Sequence, residues 1–147
     1  MLGSLNQLYQ RDLDKLSIEI SSYTHEKILW ELGDNIANTA GNLSLHICGN
    51  LQHFIGAVLG NSGYVRNRDL EFSARNISQE KLISEVNATK SIVEKTLHSL
   101  PEEALLKIYP IELFGHPMTT EYFLLHLLTH LNYHLGQINY HRRLLSK

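Results

Sequence analysis

A single cysteine, three prolines and an almost even charge balance are the scarcities of this 147-residue chain. With Cys48 alone, an intrachain disulfide and every paired-cysteine zinc or redox motif are excluded, and a reducing, cytoplasmic setting is expected. Basic residues number 13 against 15 acidic, for a net charge of −2, and no basic cluster exceeds Arg142-Arg143. The electrostatic footprint of a nucleic-acid-binding protein is therefore missing. Long apolar runs are missing too: the most apolar stretch, 123–135, is broken by His126, His130, Asn132 and His134, which excludes a membrane span. The opening MLGSLNQLYQRDLDKL turns polar by its second helical turn and lacks the unbroken apolar segment of a secretion signal. Strand-like alternation, internal repeats and low-complexity tracts are likewise absent.

What is present is helical periodicity. Apolar residues make up 43% and charged residues 19%, enough to bury one core, so a soluble, globular, single domain over 1–147 is expected. Leu2, Leu5, Tyr9, Leu13, Leu16 and Ile20 recur at three and four and predict a first helix over 3–22. Leu43, Ile47, Leu51, Phe54 and Val58 predict a second over 40–60, capped at Asn38 or Thr39 and stopped at Gly60-Asn61. Ser78 opens a third over 78–100, with Leu82, Val86, Val93 and Leu97 on one face and Pro101 as its stop. Thr119 or Thr120 caps the last, over 119–145, whose stripe is Leu124, Leu127, Leu131, Leu135 and Ile138. Four amphipathic helices must cover one another, which predicts an all-α four-helix bundle of up-down-up-down type. The connections are long, and all three prolines fall in the last one with Tyr109, Phe114 and His116, a segment expected to act as a flap.

Nine histidines are the chemical surplus. His126, His130 and His134 follow one another at intervals of four, so each neighbouring pair lies one turn apart on one helical face and can share an ion. The outer two lie about 12 Å apart along the axis and cannot share one. A further ligand must come from a facing helix, where His46 and His53 are available, seven residues and two turns apart. Spacing leaves these combinations open. Cys48 faces away from His46 and reads as packing, His25, His98 and His116 as surface or loop residues, and Tyr133 and Tyr140 as interface or core aromatics. Asn50 and Gln137 point toward His46 and His134 and are able to orient a water or ligand. HExxH and the Glu-x-x-His pairs of di-iron bundles are absent, which leaves a mononuclear site.

The segments HICGNLQHFI (46–55) and HLNYHLGQI (130–138) resemble, in order and separation, the two signature helices of the DinB/YfiT-like superfamily. The resemblance extends over nearly the whole chain, including the long first helix and RNRDLEF (66–72), and is closest to the small uncharacterised members. It implies a DinB/YfiT-like four-helix bundle with one divalent metal on His46, His130 and His134; the Gly136-Gln137 pair after His134 fixes the pair there and makes His126 a neighbour. Three imidazoles suit zinc or nickel, with iron or copper also compatible, and leave a coordination position open. The reaction class implied is transfer of a small thiol, held and deprotonated at the ion, to an electrophile. The alternatives are hydrolysis by activated water and a non-enzymatic metal-binding or interaction bundle. A homodimer is also implied, and binding should weaken below about pH 6.5, where histidine ordinarily becomes charged.

Overall fold

The computed structural model describes residues 1–146, and among them every regular element is a helix. The α-helices are α1 (Leu2–Ser21), α2 (Ala40–Leu51), α3 (Arg68–Ser73), α4 (Gln79–Ser99) and α5 (Thr120–Leu145). Helix α2 continues through a π-helical stretch, Gln52–Ala57, into a last α-turn, Val58–Gly60. Short 3-10 turns, Glu26–Trp30 and Glu102–Leu106, interrupt two connections. None of the described helices is long and apolar enough to cross a membrane.

The caps are made by the expected side chains. Backbone N–H groups of Asn42, Lys81 and Tyr122 donate to the hydroxyls of Thr39, Ser78 and Thr119 at 3.1, 3.2 and 3.1 Å, satisfying orphan donors at the starts of α2, α4 and α5. Asn61 ends the second helical run in the left-handed conformation, at φ +49°. Every residue of the first apolar stripe, from Leu2 to Ile20, is buried, as are Leu43, Ile47, Leu51, Leu82, Val86, Val93 and Leu97 on the helices around it. Each such side chain contributes about 1.5–3 kcal/mol on leaving water.

The order of the helices corrects the up-down-up-down expectation. Helix α1 packs on α4 and α5, and α2 packs on the same two, so α1 and α2 stand on opposite sides of the core. Gln79 reaches the carbonyls of Ile20 and Tyr23 while Gln10 reaches that of Lys90, which sets α1 antiparallel to α4. Tyr9 bonds Leu124 and Asn139 bonds Glu19, so α1 and α5 run parallel. His46 faces His130 while Phe54 meets Phe123, so α2 and α5 run antiparallel. The resulting order is up-down-down-up. Its physical basis is the connection 61–78, which travels back along α2, about 30 Å by helical rise, and lays α3 against it on the way. A short loop there would have forced antiparallel neighbours.

Candidate metal centre

Three imidazoles converge where α2 meets α5. His46 Nε2 lies 3.2 Å from His130 Nε2, which lies 3.1 Å from His134 Nε2, and the three ligand atoms are all within 4.8 Å of one another. An ion bonded to nitrogen at 2.0–2.1 Å separates adjacent ligands by about 2.9 Å in octahedral and about 3.4 Å in tetrahedral geometry. The two short separations fall inside that interval, and all three nitrogens lie close enough together to hold a metal ion.

The outward nitrogens fix the tautomers. His46 Nδ1–H donates to Glu71 Oε1 at 3.0 Å, and His134 Nδ1–H donates to Gln137 Oε1 at 2.7 Å, which leaves a lone pair on each Nε2. Glu71 is itself gripped by Arg66, whose Nε and Nη2 donate to its two oxygens at 2.8 and 2.9 Å. Burial pushes the Glu71 carboxyl up, yet the hydrogen bonds from His46 and Arg66, with their charges, hold it below the ordinary carboxylate range. Glu71 is buried because Gly49 leaves it room: a Cβ there would fall on the carboxylate.

Burial, reinforced by His134, His46, His126 and Arg66, lowers His130 to about 4. Burial also lowers His134, with His46 adding to it and the Gln137 hydrogen bond opposing it. Neutral imidazole, the form that ligates, is thus favoured near neutrality.

A cleft of about 430 Å³ opens beside the cluster, lined by His46 and His130 together with Asn50, Arg66, Phe114 and His126. The last connection supplies Leu113 and Phe114 to its wall, so the expected flap borders the site. Tyr109 anchors that flap by donating its hydroxyl to Phe54 O at 2.7 Å, a carbonyl within the π-helical stretch.

The other histidines stand apart from the cluster. The His126 ring stacks on Phe123 at 5.9 Å and lies 6.5 Å from that of His130, in the cleft wall. His53 packs edge-on against Phe54, and His25, His98 and His116 are exposed. His141 is a buried strut: its Nε2–H donates to Glu31 O at 2.8 Å, so its Nδ1 accepts the Tyr23 hydroxyl, also at 2.8 Å. Cys48 is buried, as packing requires. Tyr133 and Tyr140 are exposed by 66% and 64%, which removes them from the core.

Sequence reasoning missed Glu71 and Arg66. The available signal was an acidic residue five positions after Arg66 in the 66–72 segment, and its pairing with His46 depends on α3 being folded back onto α2. The chain matches over residues 3–147 the model of a family described as a protein of unknown function, DUF1572, and belongs to that family. No curated protein matches it.

Proposed function

We propose that this chain is a divalent-metal-binding, DinB/YfiT-like four-helix bundle that holds zinc or nickel on His46, His130 and His134 and transfers a small thiol to an electrophile. The observation that carries the metal is the convergence of three Nε2 atoms, two of them tautomerically fixed by Glu71 and Gln137. Thiol transfer rests on the superfamily resemblance and on the cleft that adjoins the cluster. When bound, the ion supplies Lewis acidity that lowers the pKa of a thiol at its open position. In such a transfer the sulfur would bond to an electrophilic carbon as the leaving group departed with the bonding pair, and the thiol proton would pass to solvent. The chain's own residues hold the three imidazoles in place, while Phe114 and Phe123 give the adjoining cleft an apolar wall.

Elemental analysis of protein purified without a histidine tag or nickel column, followed by titration with a small thiol, tests this reading. Wild type should carry one equivalent of metal. His46→Ala, His130→Ala and His134→Ala should each lose it, and His126→Ala should keep it. Retention by His134→Ala with loss in His126→Ala would move the pair to His126 and His130. The same resemblance carries the proposal of a homodimer, which light scattering at micromolar concentration checks.

A further inference from the structure

The histidine cluster leaves the rest of the cleft lining unexplained. Asn50 lines it and is only 8% exposed, yet its Oδ1 is buried without a hydrogen-bond partner. Buried amide oxygens in folded proteins nearly always have a donor, so an orphan beside a cleft is suited to a ligand's N–H or O–H. The last torsion of Asn is soft, so the amide can turn its oxygen toward such a donor. Arg66, also in the wall, is already committed to Glu71 through the Nε–Nη2 edge of its guanidinium. Arg68 is not: it is exposed, lines the cleft, and lies 5.1 Å over the Phe72 ring with no carboxylate paired to it among the described residues. The remaining wall is apolar and open, with Leu113 and Phe114 exposed by 42% and 44% beside buried Phe123.

We propose that the cleft takes a small carboxylate with an aromatic or aliphatic body, its anion on Arg68, its body against Phe114 and Phe123, and an N–H or O–H near the histidines donating to Asn50 Oδ1. One unpaired guanidinium matches one carboxylate, and its planar fork suits that anion's geometry. The apolar wall rewards a ligand body that a simple anion lacks. The metal-facing end of the ligand rests on the function proposed above; the carboxylate and the body do not. Asn50 and Arg68 are positioning and specificity residues in this assignment.

The test uses 4-carboxybenzohydroxamate, which has a metal-binding head with an N–H, a ring and a distal carboxylate. It is titrated calorimetrically into zinc-loaded and metal-free protein beside its neutral isostere, 4-carbamoylbenzohydroxamate, and its N-methyl derivative. Wild type should prefer the carboxylate over the isostere by about tenfold, and Arg68→Gln should erase that preference. Wild type should bind the N-methyl probe about fivefold more weakly, and Asn50→Leu, checked for a native melt, should bind the two alike. Zinc content measured on the same samples separates the two ideas. Protein that takes no zinc but still prefers the carboxylate through Arg68 keeps the cleft assignment and drops the metal. Equal binding of carboxylate and isostere, with or without zinc, overturns the assignment, as does a preference that survives Arg68→Gln.

Discussion

Glu71 shows how much a candidate metal site depends on residues that touch no metal. Its carboxylate takes the Nδ1 proton of His46 on one side and the Arg66 fork on the other, so the ring's aim is set by an ion pair on a different element. Replacing such a supporting carboxylate typically costs 10–100-fold in metal affinity. Glu71→Gln keeps an acceptor for His46 but loses the charge, and competition titration against a chromophoric chelator should show zinc affinity lowered by about tenfold. An unchanged affinity would mean that the His46 ring is held by packing alone. Cys48 carries the opposite message. Burial pushes its thiol up to about 12 despite a hydrogen bond to Thr89. The thiolate is the reactive form. Folded protein should therefore resist a thiol-specific reagent at pH 8, and one equivalent should react once denaturant is added; prompt labelling of the native chain would contradict its burial.

At the scale of elements, helix placement follows local rules that the sequence displays openly. Thr39, Ser78 and Thr119 are recognisable caps, and the stripe from Leu2 to Ile20 has one period and one buried face. What could not be read was direction and association. Whether α4 runs with α2 or against it is decided by where the 61–78 connection lies, and nothing in the local pattern of that segment encodes its path. The π-helical stretch was equally hidden, because its widened turn is tied down by Tyr109, which lies 55 residues from the Phe54 carbonyl it bonds. The same limit applied to the site. That a histidine pair on the last helix could share an ion was legible from the spacing of four, which pair it is and the third histidine came from family resemblance, and Glu71 required α3 to be docked. Gly49 is the residue that permits this docking, and Gly49→Ala tests it. The added methyl displaces the Glu71 carboxylate, so the variant should stay helical by circular dichroism while losing Tm and zinc affinity together. A variant with native affinity would show that Glu71 can move without releasing His46.

Across the whole molecule, several histidines are partly or wholly buried in a form that acid opposes. Burial lowers His130 to about 4 and lowers His134 and His141 below the ordinary 6.5. His141 is the strut that ties the 22–39 connection, through Tyr23 and Glu31, to α5. In the unfolded chain these groups take up protons as pH falls through about 6.5, whereas in the folded chain they remain neutral until a lower pH. Between those values the unfolded state binds more protons, so stability is full above about 6.5 and is lost progressively as pH falls toward the folded values. The metal-free protein should accordingly melt at steadily lower temperature from pH 7 to pH 5. A bound ion changes the profile in a definite way. His130 and His134, lowered below the ordinary value, compete less with the ion for their ring nitrogens, so the ion should be retained somewhat below 6.5, where ordinary histidine ligands begin to lose it, and should depart as His130 nears its own lowered value. Calorimetric melts of zinc-loaded and metal-free protein across that range should therefore keep a roughly constant gap in Tm down to about pH 6, and the gap should close toward pH 4. Closure already complete at pH 6 would mean that the cluster titrates like exposed histidine, and that the burial at the α2–α5 contact does not govern its chemistry.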